Sequence, residues 1–318
     1  MIKRKLYSLL HPFDSLSQRT AEKVIGHTDY MIAHSKEEIR YDIRASQLKC
    51  LAVSATECGI SKDCLCDHEV VVSLTTYRQR IHEVYLSIES IMRGTVKPNR
   101  IILWLAEDEF GGKDLPIVLQ NQMKRGLEVR YCEDLRSYKK IIPTLQLCPD
   151  ACIVTIDDDA IYEPDLLEHL IASYKMHPDC VSASRIHRIR TSADGMPLPY
   201  VQWDFFQYDE SPSHRNFLTG VGGNLFPPHA LNEQVTDQNT FMRLCPKGDD
   251  IWLNAMLMAN GVKVVKSFTH NENGDDYVLN ESPYVDSLWS SNKQDDGNDV
   301  QIRAVWEKFQ LQNLFYSK

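Results

Sequence analysis

Residues 151–164 constrain the fold of this chain more than any other stretch. The run 151–156 is short, apolar and rich in β-branched residues, and it stops at three consecutive acids, Asp157, Asp158 and Asp159. Because the run is apolar at every position rather than at alternate positions, it predicts a strand buried on both faces of a sheet. A proline follows shortly after the acids and predicts the start of a helix.

Three adjacent carboxylates at the end of a buried strand carry an electrostatic cost. Two unit charges about 5 Å apart repel by roughly 3 kcal/mol at an effective dielectric constant near 20. A hard divalent cation takes oxygen ligands and would remove that repulsion. Ligands of open α/β sheets also collect at the carboxyl ends of the strands. The pattern therefore favours a ligand or metal site, with a solvated turn that caps the next helix as the alternative.

The composition excludes several classes of protein. The chain has 318 residues, of which 43% are hydrophobic and 25% charged, as in ordinary globular proteins. Its formal net charge of −9 argues against a nucleic-acid partner, which needs a basic face. No apolar run approaches the roughly 20 residues of a transmembrane helix, and no signal peptide is recognisable. We therefore expect a cytoplasmic protein without a transmembrane segment.

The nine cysteines are an odd number in a chain too long to need disulfides, so reduced thiols are expected. Cys58, Cys64 and Cys66 lie close together in the sequence, near Cys50 and His68. Their spacing lacks the paired C-x₂-C elements of common zinc sites. A structural zinc site remains the alternative to free thiols at these positions.

Residues 1–66 differ in charge from the rest of the chain. They contain ten lysines and arginines against eight acids, and residues 20–49 have scattered helical spacing. This segment is predicted to be a helical N-terminal extension that ends in the cysteine-bearing loop. Its small positive excess leaves open a peripheral association with the inner face of an anionic membrane.

Strands and helices alternate in residues 67–275, which predicts βαβ units and a mainly parallel sheet of the α/β class. No GxGxxG follows the first strand and no Walker A loop is present, so the dinucleotide and P-loop versions of such a fold are not expected. Residues 276–318 are predicted to be a C-terminal loop and helix, with residues 272–297 as a mobile loop. The predicted strands are 69–77, 100–105, 127–131, 151–156, 181–185, 200–206 and 262–268, and a further apolar strand is predicted on the far side of the glycine-rich segment 218–226. The predicted helices are 81–92, 116–124, 138–145, 166–174, 249–259 and 302–309.

Three features follow one another in order along this region. A first strand ends in small hydroxyls and a tyrosine (71–77), a later strand ends in Asp-Asp-Asp, and a helix begins at Asp249-Asp250-Ile251-Trp252-Leu253. Gly222-Gly223 stands between the last two. This ordered set resembles the GT-A glycosyltransferases, most closely the bacterial family 2-like enzymes, over about residues 69–270. The second strand departs from the family's pattern, because it ends in Ala-Glu-Asp-Glu rather than an Asp-Asp-Gly-Ser type of turn.

The resemblance implies a metal-dependent glycosyltransferase that moves a sugar from a nucleotide-sugar donor, expected to be UDP-linked, to a hydroxyl of a glycan or glycolipid. An inverting reaction in surface polysaccharide biosynthesis is expected, with Mn²⁺ or Mg²⁺ as the cofactor. The implied catalytic residues are Asp250 as general base and Asp249 in a helix-capping or orienting role; the implied metal ligands are Asp157, Asp159 and His270; and the implied donor contacts are Thr75, Tyr77, Asp108, Lys139, Lys140, Asp157, Asp158, Gly222 and Gly223.

Several of these residues also have a plain structural explanation. Lys139 and Lys140 could form a solvated helix face, Asp249 could cap a helix, and the glycines could make a tight bend. Two other functions stay open. A nucleotidyltransferase also places acids and a metal on an α/β sheet, and a non-catalytic scaffold would bind a nucleotide sugar without turning it over.

Overall fold

The computed structural model describes residues 12–271, 276–280 and 297–315. The chain divides into two compact units, Met1–Ser46 and Gln47–Lys318. Helix α1 comprises Pro12–Ser54. This helix confirms the predicted helical extension, although its spacing signal in the sequence is weak. Among the described residues, no helix combines the length and the apolar character needed to cross a membrane.

The second unit is a mixed α/β structure. After α1, its helices are α2 Tyr85–Met92, α3 Glu107–Phe110, α4 Ile117–Met123, α5 Ile142–Leu147, α6 Leu166–Met176, α7 Gln238–Leu244, α8 Asp249–Ala259 and α9 Gly297–Phe309. The strands are β1 Val70–Thr75, β2 Arg100–Ala106, β3 Leu127–Cys132, β4 Cys152–Thr155, β5 Ala160–Tyr162, β6 Cys180–Ala183, β7 Ile186–Arg188, β8 Asp204–Gln207, β9 Asn216–Leu218, β10 Asn224–Phe226, β11 Lys263–Lys266 and β12 Tyr277–Leu279.

The main sheet has seven strands in the order β11-β6-β10-β4-β1-β2-β3. Neighbours are parallel except at β10, which is antiparallel to both β4 and β6. The buried positions of β1 and β4 carry mostly valine, isoleucine and other apolar side chains, as strands covered on both faces require. The prediction of an α/β fold with a mainly parallel sheet is confirmed.

Two large apolar clusters cover the sheet, together with a smaller one of Val71, Ile102, Trp104, Cys148 and Ala151. One contains β1, β2 and β4 together with α2 and α6, and it includes the fully buried Tyr162. The other packs α8 against α9 and includes Trp252 and Trp306, both fully buried. Helix α9 therefore contributes to the core of the second unit, and its predicted apolar face is confirmed.

Several elements differ from the sequence prediction. The predicted strand 200–206 begins as a 3₁₀ turn and becomes extended only at β8. The strands β5, β7 and β12 and the helix α7 were missed, because each is short and leaves too few residues for a periodic signal. Strand β12 falls inside the predicted mobile loop and pairs with β5. The rest of that loop, residues 272–275 and 281–296, lies outside the described residues.

Candidate active site at the carboxyl edge of the sheet

The topology brings three segments to the carboxyl end of β4. The parallel neighbour β1 places Ser73 opposite Thr155, so both strands end at the same edge. Because β10 is antiparallel, its first residue, Asn224, also pairs with Thr155. The glycine-rich turn Gly220–Gly222 that precedes β10 therefore lies beside the three aspartates. This edge is where ligands of open α/β sheets bind.

Lys140 joins the two acidic motifs. It ends the 3₁₀ segment Arg136–Lys140, and its Nζ lies 2.8 Å from Oδ1 of Asp157 and 3.0 Å from Oδ2 of Asp249. The strand end at Asp157 and the helix start at Asp249, far apart in the sequence, therefore share one cation. The Lys140 side chain is buried, with 6% of its surface exposed. A solvated helix face, one of the two explanations considered for this lysine, is excluded.

The electrostatics keep Lys140 charged. Burial disfavours the ammonium form, but Asp157 and Asp249 outweigh that effect and raise the pKa of Lys140. Such a fixed positive charge stabilises the two carboxylates that face it. It also means that this lysine is held inside the acidic cluster and does not extend from a surface.

Arg80 is a second cation in the cluster. It lies in the 3₁₀ segment Arg78–His82 that follows β1, and its two terminal nitrogens lie 2.6 Å from Asp158 Oδ1 and 2.9 Å from Asp159 Oδ2. The hydroxyl of Thr76 donates to the other oxygen of Asp158 at 2.6 Å. Asp158 is therefore paired on both oxygens, whereas Asp159 has an Arg80 bond on only one.

Two acids of this cluster, Asp158 and Asp159, have raised pKa values. Burial, with the charges of Asp158 and Asp157 next in importance, raises the pKa of Asp159 to about 6 despite the nearby Arg80. Burial also raises the pKa of Asp158, against the opposing effect of Arg80. The two cations thus compensate the negative charge only in part.

Tyr162 fixes the position of the aspartate turn. Its hydroxyl accepts a hydrogen bond of 2.8 Å from the backbone N–H of Asp157 and donates one of 2.9 Å to the carbonyl of Val221. The tyrosine comes from β5, directly after the acids in the sequence. It links the aspartate turn to the glycine-rich turn, so the two cannot move independently without breaking a buried hydrogen bond.

The three glycines at this edge have different surroundings. A Cβ on Gly220 would lie 3.2 Å from Lys140 Nζ and 3.7 Å from an oxygen of Asp157, so this glycine borders the acidic cluster. A Cβ on Gly222 would lie 2.6 Å from Ser184 Oγ, and Gly223 has a φ of +91°. The packing and backbone conformation of Gly222 and Gly223 therefore explain why glycine occurs there. Their predicted contact with a nucleotide sugar stays a prediction.

The two acids at the start of helix α8 do not have the capping arrangement that was predicted. The N-cap is Gly248, and Asp249 makes no side-chain cap because its carboxylate faces Lys140. Asp250 Oδ1 accepts a hydrogen bond of 2.8 Å from the N–H of Ile251. The expected capping role of Asp249 is therefore wrong, and the reason is that a buried ammonium is a stronger partner than a helix N–H.

Asp250 combines partial exposure with a raised pKa. Burial and the charge of Asp249 raise the pKa of Asp250 to about 7, against the opposing charge of Lys140. The charge of Asp250 in turn contributes, after burial, to the raised pKa of Tyr200. A carboxylate with a pKa near neutrality can accept a proton and release it again under ordinary conditions.

The other predicted donor contacts lie around this cluster or beyond it. Thr75 Oγ1 donates to the carbonyl of Trp104 at 2.8 Å, within the sheet. Tyr77 lies beneath Arg80, with its ring centre 5.2 Å from the guanidinium carbon. Asp108 is exposed at the start of α3. Lys139 is buried and pairs with Asp134, so it too is no part of a solvated face.

His270 lies with a different carboxylate. Its Nε2 is 2.7 Å from Oδ2 of Asp165, and its backbone N–H donates to both oxygens of Asp276. In the described part of the chain, three potential ligand atoms lie within 4.8 Å of one another at Asp165, His169 and His270. The structure therefore does not bring His270 to Asp157 and Asp159, with which it was expected to share a metal.

The cysteines near the end of α1 do not converge on one point. Cys58 Sγ contacts the carbonyl of Arg125 at 3.6 Å, whereas Cys64 and Cys66 donate to the carbonyls of Cys66 and His68. All nine cysteines are free thiols, as expected. Within the described ranges these thiols form no three-ligand group, so the zinc alternative at this loop gains no support.

A divalent cation would suit the acids at this edge. Asp157 and Asp159 each keep part of the side chain exposed, 27% and 23%, and each has one oxygen outside the ion pairs just described. Carboxylate oxygens are the ligands that Mn²⁺ and Mg²⁺ prefer. Asp157, Asp158 and Asp159 are three adjacent acids, and the ion pairs just described give them two cations, Lys140 and Arg80. The donor set therefore fits the expected metal.

The sequence did not single out several residues of this cluster. Arg80 lies beyond the first-strand motif and has no predicted role, Thr76 is part of that motif but without a predicted contact, and Tyr162 has no predicted role. Lys140 was singled out, but as a nucleotide contact and not as the link between two acids. No pattern in the sequence could have indicated these pairings, because each joins segments that meet only in the folded chain.

The fold and this edge define a Rossmann-like α/β protein with an acidic cluster at the carboxyl ends of its central strands. No family model matches the chain, and no curated protein sequence matches it. The chain is similar to a solved structure, that of CMP:2-keto-3-deoxy-manno-octonic acid synthetase complexed with CTP. The sequence identity is 12% and the TM-score is 0.35. The match covers 62% of this chain and 88% of the synthetase. At that level the similarity carries no argument about function.

Proposed function

We propose that this protein is a metal-dependent glycosyltransferase that transfers a sugar from a nucleotide-sugar donor to a hydroxyl group of a glycan or glycolipid. The observation that carries the proposal is the bridge of Lys140 between Asp157 and Asp249. It unites a strand-end acid cluster, suited to a donor diphosphate, with a helix-start acid, suited to an acceptor. Neither half alone would favour this chemistry.

Donor binding is assigned to the aspartate turn and the adjoining glycine-rich turn. Asp157 and Asp159 would hold Mn²⁺ or Mg²⁺, which supplies charge neutralisation for the diphosphate leaving group. Gly220 lies beside these two turns and has no side chain to fill the space there. A methyl group at this position would approach Lys140 and Asp157. Arg80 holds Asp158 and Asp159 in place and adds positive charge at the same edge.

Asp250 is assigned as the general base. The acceptor hydroxyl gives its proton to the Asp250 carboxylate while its oxygen forms a bond to the anomeric carbon of the donor. The bond between that carbon and the diphosphate oxygen breaks, and the nucleoside diphosphate leaves with the electron pair. A direct displacement of this kind inverts the anomeric centre. The pKa of about 7 for Asp250 suits a base that works near neutrality.

A nucleotidyltransferase is the second candidate, and Arg80 is the observation that favours it. This cation lies directly after the first strand and next to the acids, where a triphosphate could bind. Such an enzyme would join a nucleotide to a sugar acid or sugar phosphate and release pyrophosphate. The leading proposal is preferred because Lys140 bridges the strand-end acid Asp157 and the helix-start acid Asp249, which unites a site suited to a donor diphosphate with one suited to an acceptor.

A product analysis separates these functions. Purified protein is incubated with Mn²⁺ and either a panel of nucleotide sugars or the four nucleoside triphosphates with common sugars. The proposal expects release of nucleoside diphosphate from one nucleotide sugar, stopped by EDTA and restored by Mn²⁺. Release of pyrophosphate from a triphosphate instead would establish the second candidate.

Ligand binding measured in the same samples distinguishes a non-catalytic scaffold from an enzyme. At a donor or metal concentration 100-fold above its Kd, a ligand specific to the folded state adds about 2.7 kcal/mol to the free energy of unfolding. Thermal stabilisation by a nucleotide sugar without any turnover would overturn the catalytic proposal in favour of a binding protein. The double variant Asp157→Asn/Asp159→Asn is the control, because it should lose the Mn²⁺-dependent part of the stabilisation.

A further inference from the structure

A second cluster of metal-ligating side chains lies where helix α6 begins. Asp165 is the N-cap residue of α6, and His169 follows one helical turn later on the same side. His270 reaches this pair from the segment after β11. Their ligand atoms, one carboxylate oxygen and two imidazole nitrogens, all lie within 4.8 Å of one another. The acids assigned to the donor site are not members of this group.

The carboxylate of Asp165 is only half satisfied. Its Oδ2 lies 2.7 Å from His270 Nε2, but its buried Oδ1 has no hydrogen-bond partner among the residues that the structure describes. His169 Nδ1 lies 3.9 Å from Oδ1. That separation is too long for a hydrogen bond. A buried carboxylate oxygen without a partner costs free energy, and a cation between the three side chains would remove that cost.

We infer that Asp165, His169 and His270 form a binding site for a divalent transition-metal ion of the Zn²⁺ type. Zinc binds imidazole nitrogen and carboxylate oxygen at about 2.0–2.2 Å, which puts neighbouring ligand atoms of a tetrahedral ion roughly 3.4 Å apart. The separations of 2.7 Å, from His270 Nε2 to Asp165 Oδ2, and 3.9 Å, from His169 Nδ1 to Asp165 Oδ1, lie on either side of that value, and all three ligand atoms lie within 4.8 Å of one another. Two imidazoles select Zn²⁺ over Mg²⁺ and Ca²⁺, which prefer oxygen ligands alone.

The surroundings orient the ligands. The Phe268 ring packs edge-on against His169, with ring centres 4.8 Å apart, and also against His270 at 5.6 Å. The carboxylate of Asp276 accepts two hydrogen bonds from the backbone N–H of His270. His270 is the exposed member, so water can complete the coordination. The ion would join α6 to the segment after β11 and stabilise that connection.

The test uses the full chain and two metals, Zn²⁺ and the spectroscopic probe Co²⁺. Isothermal titration should show one Zn²⁺ bound per chain, and His169→Gln and His270→Gln should each weaken binding at least about 100-fold. The matched control is His229→Gln, because His229 also lies near a carboxylate, Asp150, at 3.3 Å, but on an exposed surface. That variant should bind like the wild type.

The Co²⁺ spectrum shows which atoms hold the ion. Nitrogen and oxygen ligands give visible bands without the near-ultraviolet charge-transfer band of a thiolate. A thiolate band, or Zn²⁺ binding that survives both His169→Gln and His270→Gln, would overturn the site. The variant Asp157→Asn/Asp159→Asn should keep the Zn²⁺ affinity of the wild type. The result therefore distinguishes failure of the proposed donor site from failure of the proposed zinc site. Absence of Zn²⁺ binding in the folded wild type would also reject it.

Discussion

Two groups of buried charges in the second unit of this protein differ in the balance between acids and bases. Near α2 and α4, the Glu89 carboxylate and the Arg125 guanidinium are 0% and 4% exposed and form two parallel hydrogen bonds of 2.8 and 2.9 Å. The amide of Gln122 donates a further bond of 3.0 Å to Glu89. Here one acid meets one base, and the geometry is that of a bidentate pair.

The acidic cluster at the carboxyl edge of β4 is unbalanced. Five carboxylates, those of Asp157–Asp159, Asp249 and Asp250, face two cations, Lys140 and Arg80. Burial, followed by the charges of neighbouring acids, raises the pKa of Asp159 to about 6 and of Asp250 to about 7. A buried acid paired with one base can serve the fold alone. A buried cluster with more acids than bases costs free energy of folding when no ligand is bound, and a bound cation would reduce that cost. The comparison therefore separates a structural from a functional use of buried charge.

The largest expected effect concerns Asp250. Asp250→Asn keeps the side-chain volume and an oxygen for the N–H of Ile251, but it cannot accept a proton. We expect turnover to fall roughly 10²–10⁴-fold, the usual contribution of a positioned general base. Donor affinity should change little, and kcat and kcat/KM should fall together. Transfer kinetics and direct donor binding measure the two quantities.

The pH dependence and a neighbouring variant sharpen this result. Only the deprotonated base acts, so wild-type kcat should rise with pH through a limb near 7, the raised pKa of Asp250. Asp249→Asn should be milder, because that side chain pairs with Lys140 and holds no proton in the reaction. Near-normal turnover of Asp250→Asn, or a greater loss in Asp249→Asn, would show that the base is misassigned.

The second prediction concerns the buried pair of Glu89 and Arg125. Arg125→Met leaves Glu89 buried without its cation, which should lower the free energy of unfolding by about 3–5 kcal/mol. The matched control is Arg93→Met, because Arg93 and its partner Glu57 are 36% and 64% exposed. That substitution should cost at most about 1 kcal/mol. Urea unfolding of both variants checks the contrast, and equal losses would refute the structural role given to the buried pair.

The smallest expected effect is a stabilisation. Asp159→Asn removes one charge from the crowded cluster, so the metal-free variant should be more stable than the wild type by about 1 kcal/mol at pH 8. Arg80 keeps its bond to Asp158, which limits the loss of attraction. The control is the exposed Asp114→Asn, which should leave stability unchanged. A clear destabilisation by Asp159→Asn would mean that the acid serves the fold.

The same variant has a defined pH signature. The carboxyl of Asp159 has a pKa of about 6 in the folded protein, above its ordinary value of 3.8. Between these values the folded state holds a proton that the unfolded state has released, so stability falls as pH rises through this window. Asn cannot titrate, and the advantage of Asp159→Asn should therefore grow from pH 4 to pH 7. Urea unfolding at several pH values would show it, and a constant difference would contradict the assignment.

Much of the fold could be predicted from local patterns. The apolar runs of β1, β2 and β4 and the apolar faces of α2, α6, α8 and α9 follow from side-chain periodicity, and the structure has all of these elements. Helix α2 begins four residues later, and α9 five residues earlier, than predicted. Short elements such as β5 and β12 could not be predicted, since three residues give no period. Their extended conformation depends on pairing with each other.

The sequence by itself determined an α/β protein with a buried strand that ends in three acids and a helix that begins with two more. Only the tertiary structure decided which charges face these acids. Lys140 lies between Asp157 and Asp249, Arg80 pairs with Asp158 and Asp159, and His270 lies with Asp165 instead. The physical reason is that periodicity reports which face of an element is buried, whereas an ion pair depends on distances between elements, which the packing of the whole sheet sets.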